Sequence, residues 1–105
     1  MRKSLKEILI NTDSLPETWL YLPPCQKEWC LDTVGVFSEN SWNYPPDSDE
    51  YLPIEAKKYG WIEVLDKASI EDVISYTKNQ LENPTLEQLL VAIVFYYEND
   101  AFLNF

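Results

Sequence analysis

Residues 85–102, TLEQLLVAIVFYYENDAF, decide the fold. Pro84 precedes a Thr-x-x-Gln pattern in which the Thr85 hydroxyl can accept from the amide of Gln88. The Gln88 side chain can in turn reach back to the amide of Thr85, closing a capping box. No charged residue follows from Leu89 to Tyr97. A helix that is apolar on every side calls for cover on every side, so the pattern predicts a buried last helix at the centre of the domain. The apolar run is far shorter than the roughly 20 residues that span a bilayer. Asn99, which tolerates the left-handed conformation, is the expected stop.

Working outward, Ser69-Ile-Glu-Asp72 reads as another helix start. Ile70, Val73, Ile74, Thr77 and Leu81 recur on one face behind it. Glu82-Asn83-Pro84 breaks this helix, and so short a link predicts an antiparallel helical hairpin with the last helix. Near the N-terminus, Ser4-Leu-Lys-Glu7 is a further capping box, opening a short helix from Leu5 to Asn11. Thr18 to Leu22 and Trp29 to Phe37 are β-prone runs. The short polar link from Cys25 to Glu28 makes them an expected antiparallel hairpin. Pro53 to Tyr59 predicts a short helix capped by Gly60, and Trp61 to Leu65 a third strand. The pattern is that of one α+β domain. It has a small antiparallel sheet of about three strands, helices packed on one face, and a C-terminal helical hairpin with a buried last helix.

The 105 residues suit a single domain, residues 1–105. Eighteen acidic residues against eight basic ones give a net charge of −10. A field of that sign repels nucleic acid and anionic lipid, and it speeds encounter with basic partners. The opening MRKSLKEIL lacks the apolar core and small-residue cleavage site of a secretory leader, which makes the cytoplasm the default location. Direct binding to nucleic acid or membrane is not expected.

Catalytic chemistry finds little support. The chain has no histidine, which removes the commonest general base and metal ligand. Two glycines, Gly35 and Gly60, cannot form a phosphate-binding loop. Cys25 and Cys30 lack the partners for a zinc site, and a reducing compartment favours free, partly buried thiols over a disulfide between them. Asp47 to Glu50 resembles the start of a calcium loop without its glycine or its final glutamate, so a solvated acidic turn is expected. The residues predict no enzyme, no cofactor and no metal.

Recognition chemistry is concentrated between Ser38 and Leu52, SENSWNYPPDSDEYL. Loops of that length in a compact domain are usually functional or disordered. Glu39, Trp42, Tyr44, Asp47, Asp49, Glu50 and Tyr51 combine large rings with carboxylates, the pairing that supplies interface anchors and electrostatic steering. The competing expectation folds the loop back, with Trp42 and Tyr44 packed in a satellite cluster. Glu71, Asp72, Glu82 and Glu87 form a second acidic face, for which ordinary solvation suffices.

Gly60-Trp61, Ser69 to Val73, Pro84 to Leu90 and Tyr96 to Phe102 together resemble a group of small acidic bacterial domains. Some of these accompany polymorphic toxins, including those of contact-dependent growth-inhibition systems, as immunity proteins. The resemblance covers mainly the C-terminal half and brings no catalytic motif or binding residue with it. It implies a protein that neutralises a cognate basic toxin domain, with a nuclease as the best match to the acidic charge. Two alternatives remain open: a nucleic-acid mimic that inhibits DNA-binding enzymes, and a non-catalytic structural or regulatory subunit.

Overall fold

A computed structural model describes residues 2–39, 41–46 and 48–105. Among these lie four strands and four α-helices, in the order β1 (Arg2–Ser4), α1 (Leu5–Ile10), β2 (Trp19–Leu22), β3 (Val34–Phe37), α2 (Ile54–Tyr59), β4 (Ile62–Asp66), α3 (Lys67–Gln80) and α4 (Leu86–Asn99). The fold is α+β. The sheet is antiparallel throughout, ordered β1-β3-β2-β4. The strand beyond the expected three is β1, whose three residues pair Arg2 with Val36 and Ser4 with Val34.

Ser4 ends β1 and starts α1 at once. Its hydroxyl accepts from the amide of Glu7 at 3.2 Å, and its own amide donates to the Glu7 carboxylate. The amides of Leu5 and Lys6 donate to the carbonyls of Thr33 and Leu31, which pins the helix start beside β3. The expected pairing of the two β-prone runs holds, with Leu20 opposite Phe37 and Tyr21 opposite Val36. Their link is longer than Cys25 to Glu28 and takes up residues 23–33. Trp29 is the reason. It leaves the strand direction to bury its ring against Tyr97, and its indole N–H donates to the Pro23 carbonyl at 2.7 Å. Cys25 and Cys30 are exposed rather than buried, and both are free.

Strand alternation sorts the two faces of the sheet. A side chain at Gly35 would run into Leu20 and Leu22, so Gly35 marks the core face. There Leu20, Leu22, Phe37, Val64 and Leu65 join Leu5, Ile8 and Leu9 of α1, Ile70, Val73 and Ile74 of α3, and Leu89, Leu90, Ala92 and Ile93 of α4. Val36 and Tyr21 point to the opposite face and are buried as well. Arg2, opposite Val36, forms an ion pair with buried Glu55 of α2. Helix α2 therefore serves the second face, and only α1, α3 and α4 share the first.

Two helix boundaries differ from the sequence reading. α3 begins at Lys67 because Asp66 is its cap, accepting from the amide of Ser69 at 3.1 Å. α4 keeps its Thr85–Gln88 capping box, with 2.8 Å and 3.1 Å bonds. It ends on Asp100, left-handed at φ 52°, while Asn99 stays helical and donates to the Phe95 carbonyl. Gly60 ends α2 at φ 70°, as expected. Residues 101–105 fold back on α3, where Gln80 donates to the Leu103 carbonyl and accepts from the amide of Phe105.

Contrary to the expectation of cover on every side, α4 is only partly enclosed. Its Leu89, Leu90, Ala92 and Ile93 are buried, but Val91 is 52% exposed and Val94 and Phe95 are only partly covered. The sheet, α1 and α3 enclose one side of the helix. The other side is open.

Candidate functional site

The acid-and-aromatic loop leaves β3 at Ser38 and returns at Leu52. Its ends are tied together, because the amide of Glu39 donates to the Tyr51 carbonyl at 2.8 Å and the amide of Ser38 donates to the Trp19 carbonyl. A loop closed at its neck and carrying its own turns is a compact surface feature. Local bonds shape the interior: Ser48 amide to Pro45 carbonyl at 2.9 Å, Leu52 amide to Asp49 carbonyl at 3.0 Å, and Glu50 amide to Ser48 hydroxyl at 3.1 Å. Pro45 and Pro46 restrict the backbone further.

Trp42 sits in a short 3-10 turn, Ser41–Asn43, and is 91% exposed. Of the two rings in the folded-back expectation, Tyr44 is half-buried and Trp42 is exposed. Tyr44 donates its hydroxyl to the Glu39 carboxylate. This bond, with some desolvation and the charges of Glu39 and Glu50, pushes the Tyr44 phenol above its ordinary value. Glu39, Tyr44 and Glu50 are thus neighbours, and Tyr51 joins them through its backbone. Glu39, Asp49 and Glu50 are exposed, whereas Tyr44 and Tyr51 are half-buried. Asp47 lies outside the described residues.

Among the described residues two ion pairs form, Arg2 with Glu55 and Lys67 with Glu71 at 3.8 Å. Glu39, Asp49 and Glu50 in the loop take part in neither. On the second acidic face Glu71 is partly neutralised by Lys67, while Asp72, Glu82 and Glu87 are exposed.

Two arrangements escaped the sequence reading. On the second face of the sheet, Tyr21 donates to the Glu63 carboxylate at 3.0 Å from across a strand pair. Burial first, then that bond and the Glu63 charge, drive its phenol well above the usual range. On the far side of the core, Trp29 and the open side of α4 form an apolar groove. Neither residue pairing is adjacent in sequence, so no local motif announces them. Among the described residues no three potential metal ligands converge. No helix among them is long and apolar enough to cross a membrane.

Residues 2–105 match the family described as "Domain of unknown function (DUF7716)", and the chain belongs to that family. No curated protein and no solved structure matches it.

Proposed function

We propose that this domain is a cytoplasmic immunity protein of the bacterial type, which neutralises one cognate toxin by covering its basic active-site cleft. A nuclease is the toxin that suits it best, since a cleft built for phosphates is the natural counterpart of a strongly acidic blocker. The observation that carries the reading is the loop of residues 39–51. It carries a 91% exposed Trp42, the exposed carboxylates of Glu39, Asp49 and Glu50, and a hydrogen bond from Tyr44 to Glu39. An aromatic anchor costs little ordering entropy when its loop is already tied at the neck, so more of the contact energy survives as affinity. The surrounding carboxylates steer the approach and occupy positions that phosphates would fill. The reading assigns no catalytic step to the chain.

The experiment is to clone any toxin domain encoded by a neighbouring reading frame and measure binding kinetics against it, with protection of cells expressing that toxin as the biological readout. Between about 0.01 M and about 1 M salt the Debye length falls from about 30 Å to about 3 Å, and the association rate should fall by at least about tenfold. Trp42→Ala should weaken binding by about 2 kcal/mol, roughly 30-fold in Kd. Salt-independent association, or a Trp42→Ala variant that binds and protects as well as the native chain, would sink the proposal. Inhibition of many unrelated basic enzymes would instead identify a nucleic-acid mimic.

A further inference from the structure

The open side of α4 has the composition of an interior placed at the surface. Val91, Val94 and Phe95 line a groove of about 430 Å3 with Leu90 and Trp29. Its floor is held before anything binds. The Trp29 indole is 8% exposed, hydrogen-bonded to Pro23 and packed against Tyr97 at 5.5 Å between ring centroids. The charged groups on its rim are Glu87 and Glu98, and among the described residues no cation lines it. They lie about 16 Å apart along α4, at 1.5 Å of rise per residue.

We propose that this groove docks an amphipathic helix of a partner protein, one whose apolar side chains recur at helical spacing between basic residues. The length fits about three turns of helix, whose side chains would interdigitate with the ridge of Val91, Val94 and Phe95. Charge selects the occupant. Lysine or arginine near each end of the incoming helix meets Glu87 and Glu98 at the margin, while the apolar floor strips water from its centre. A second copy of this chain fits poorly, because two such grooves face to face bring Glu87 and Glu98 of both copies together on molecules of charge −10. Among the described residues none of the 39–51 loop lines this groove, so the inference is independent of that loop and holds whether or not the partner is a toxin.

The test is selection of displayed random peptides on the full-length native chain, with Val91→Arg as counter-selection. Enriched peptides should carry apolar residues at i, i+3 or i+4 and i+7, flanked by Lys or Arg. They should bind Val91→Arg about tenfold or more weakly than the native chain, and the double variant Glu87→Gln/Glu98→Gln about threefold or more weakly. Trp42→Ala should leave their affinity unchanged. Amide shift changes on adding peptide should centre on residues 86–98 and on the Trp29 indole. Enrichment of acidic or unpatterned peptides, no peptide that discriminates against Val91→Arg, or shifts confined to other surfaces would overturn the proposal. So would a dimer seen by sedimentation that Val91→Arg abolishes, which would make the occupant a second copy.

Discussion

Gly35→Ala tests the account of the sheet at its tightest point. An added methyl would stand 2.7 Å from Leu20 Cδ1, 2.8 Å from Leu22 Cδ2 and 3.3 Å from the Tyr21 carbonyl oxygen. Both leucine tips would have to move, yet Leu20 is 1% and Leu22 0% exposed, so neither can swing into solvent. Overpacking of this kind costs about 1–3 kcal/mol. Replacing glycine within a strand recovers about 0.5–1 kcal/mol of backbone entropy. The net loss should be about 1–2 kcal/mol, which for a domain of this size lowers the thermal midpoint by roughly 5–15 °C. Urea unfolding followed by tryptophan fluorescence should show an earlier midpoint with an unchanged slope. The mechanism is checked in the Leu22→Ala background, itself about 2–5 kcal/mol less stable. There the new methyl enters vacated space, and its penalty should shrink by about 1 kcal/mol. An equal penalty in both backgrounds, or a Gly35→Ala variant as stable as the native chain, would refute the clash.

Two further outcomes follow from bonds that only the folded chain reveals. Asp66→Ala should cost about 0.5–2 kcal/mol by removing the cap of α3, whereas Ser69→Ala should stay within about 0.5 kcal/mol, since its amide and not its hydroxyl is used; denaturant titration of both decides it. Tyr21 prefers its neutral form in the fold, so its contribution is complete below the free phenol value of about 10. Above that pH the unfolded chain loses the proton first and stability falls; Tyr21→Phe should flatten this alkaline decline in unfolding midpoints measured across pH.

Local chemistry was legible wherever a residue acts on its near neighbours. The Ser4–Glu7 and Thr85–Gln88 boxes and the left-handed Gly60 are four-residue or single-residue decisions, and all are present. β1 was not legible, because three residues hold no alternation and their pairing depends on β3, thirty or more positions away. The start of α3 was misplaced since both Asp66 and Ser69 are good caps and sequence alone does not rank them. The apolar run of α4 correctly marked a helix that needs cover, but composition could not say that part of the cover would be missing. In the loop, the residue types suggest recognition, while the Glu39–Tyr44 bond and the neck bond from Glu39 to Tyr51 belong to the folded chain alone.

The first strand has an effect out of proportion to its three residues. By lying along Val34–Val36 it pairs the free edge of an apolar strand that would otherwise present unused amides and carbonyls. Its own outer margin is short and bears Arg2 and Lys3, charges that discourage a further chain from adding on. Cutting the chain at residue 5 would strip this guard and invite sticky, sheet-extending association despite the high net charge.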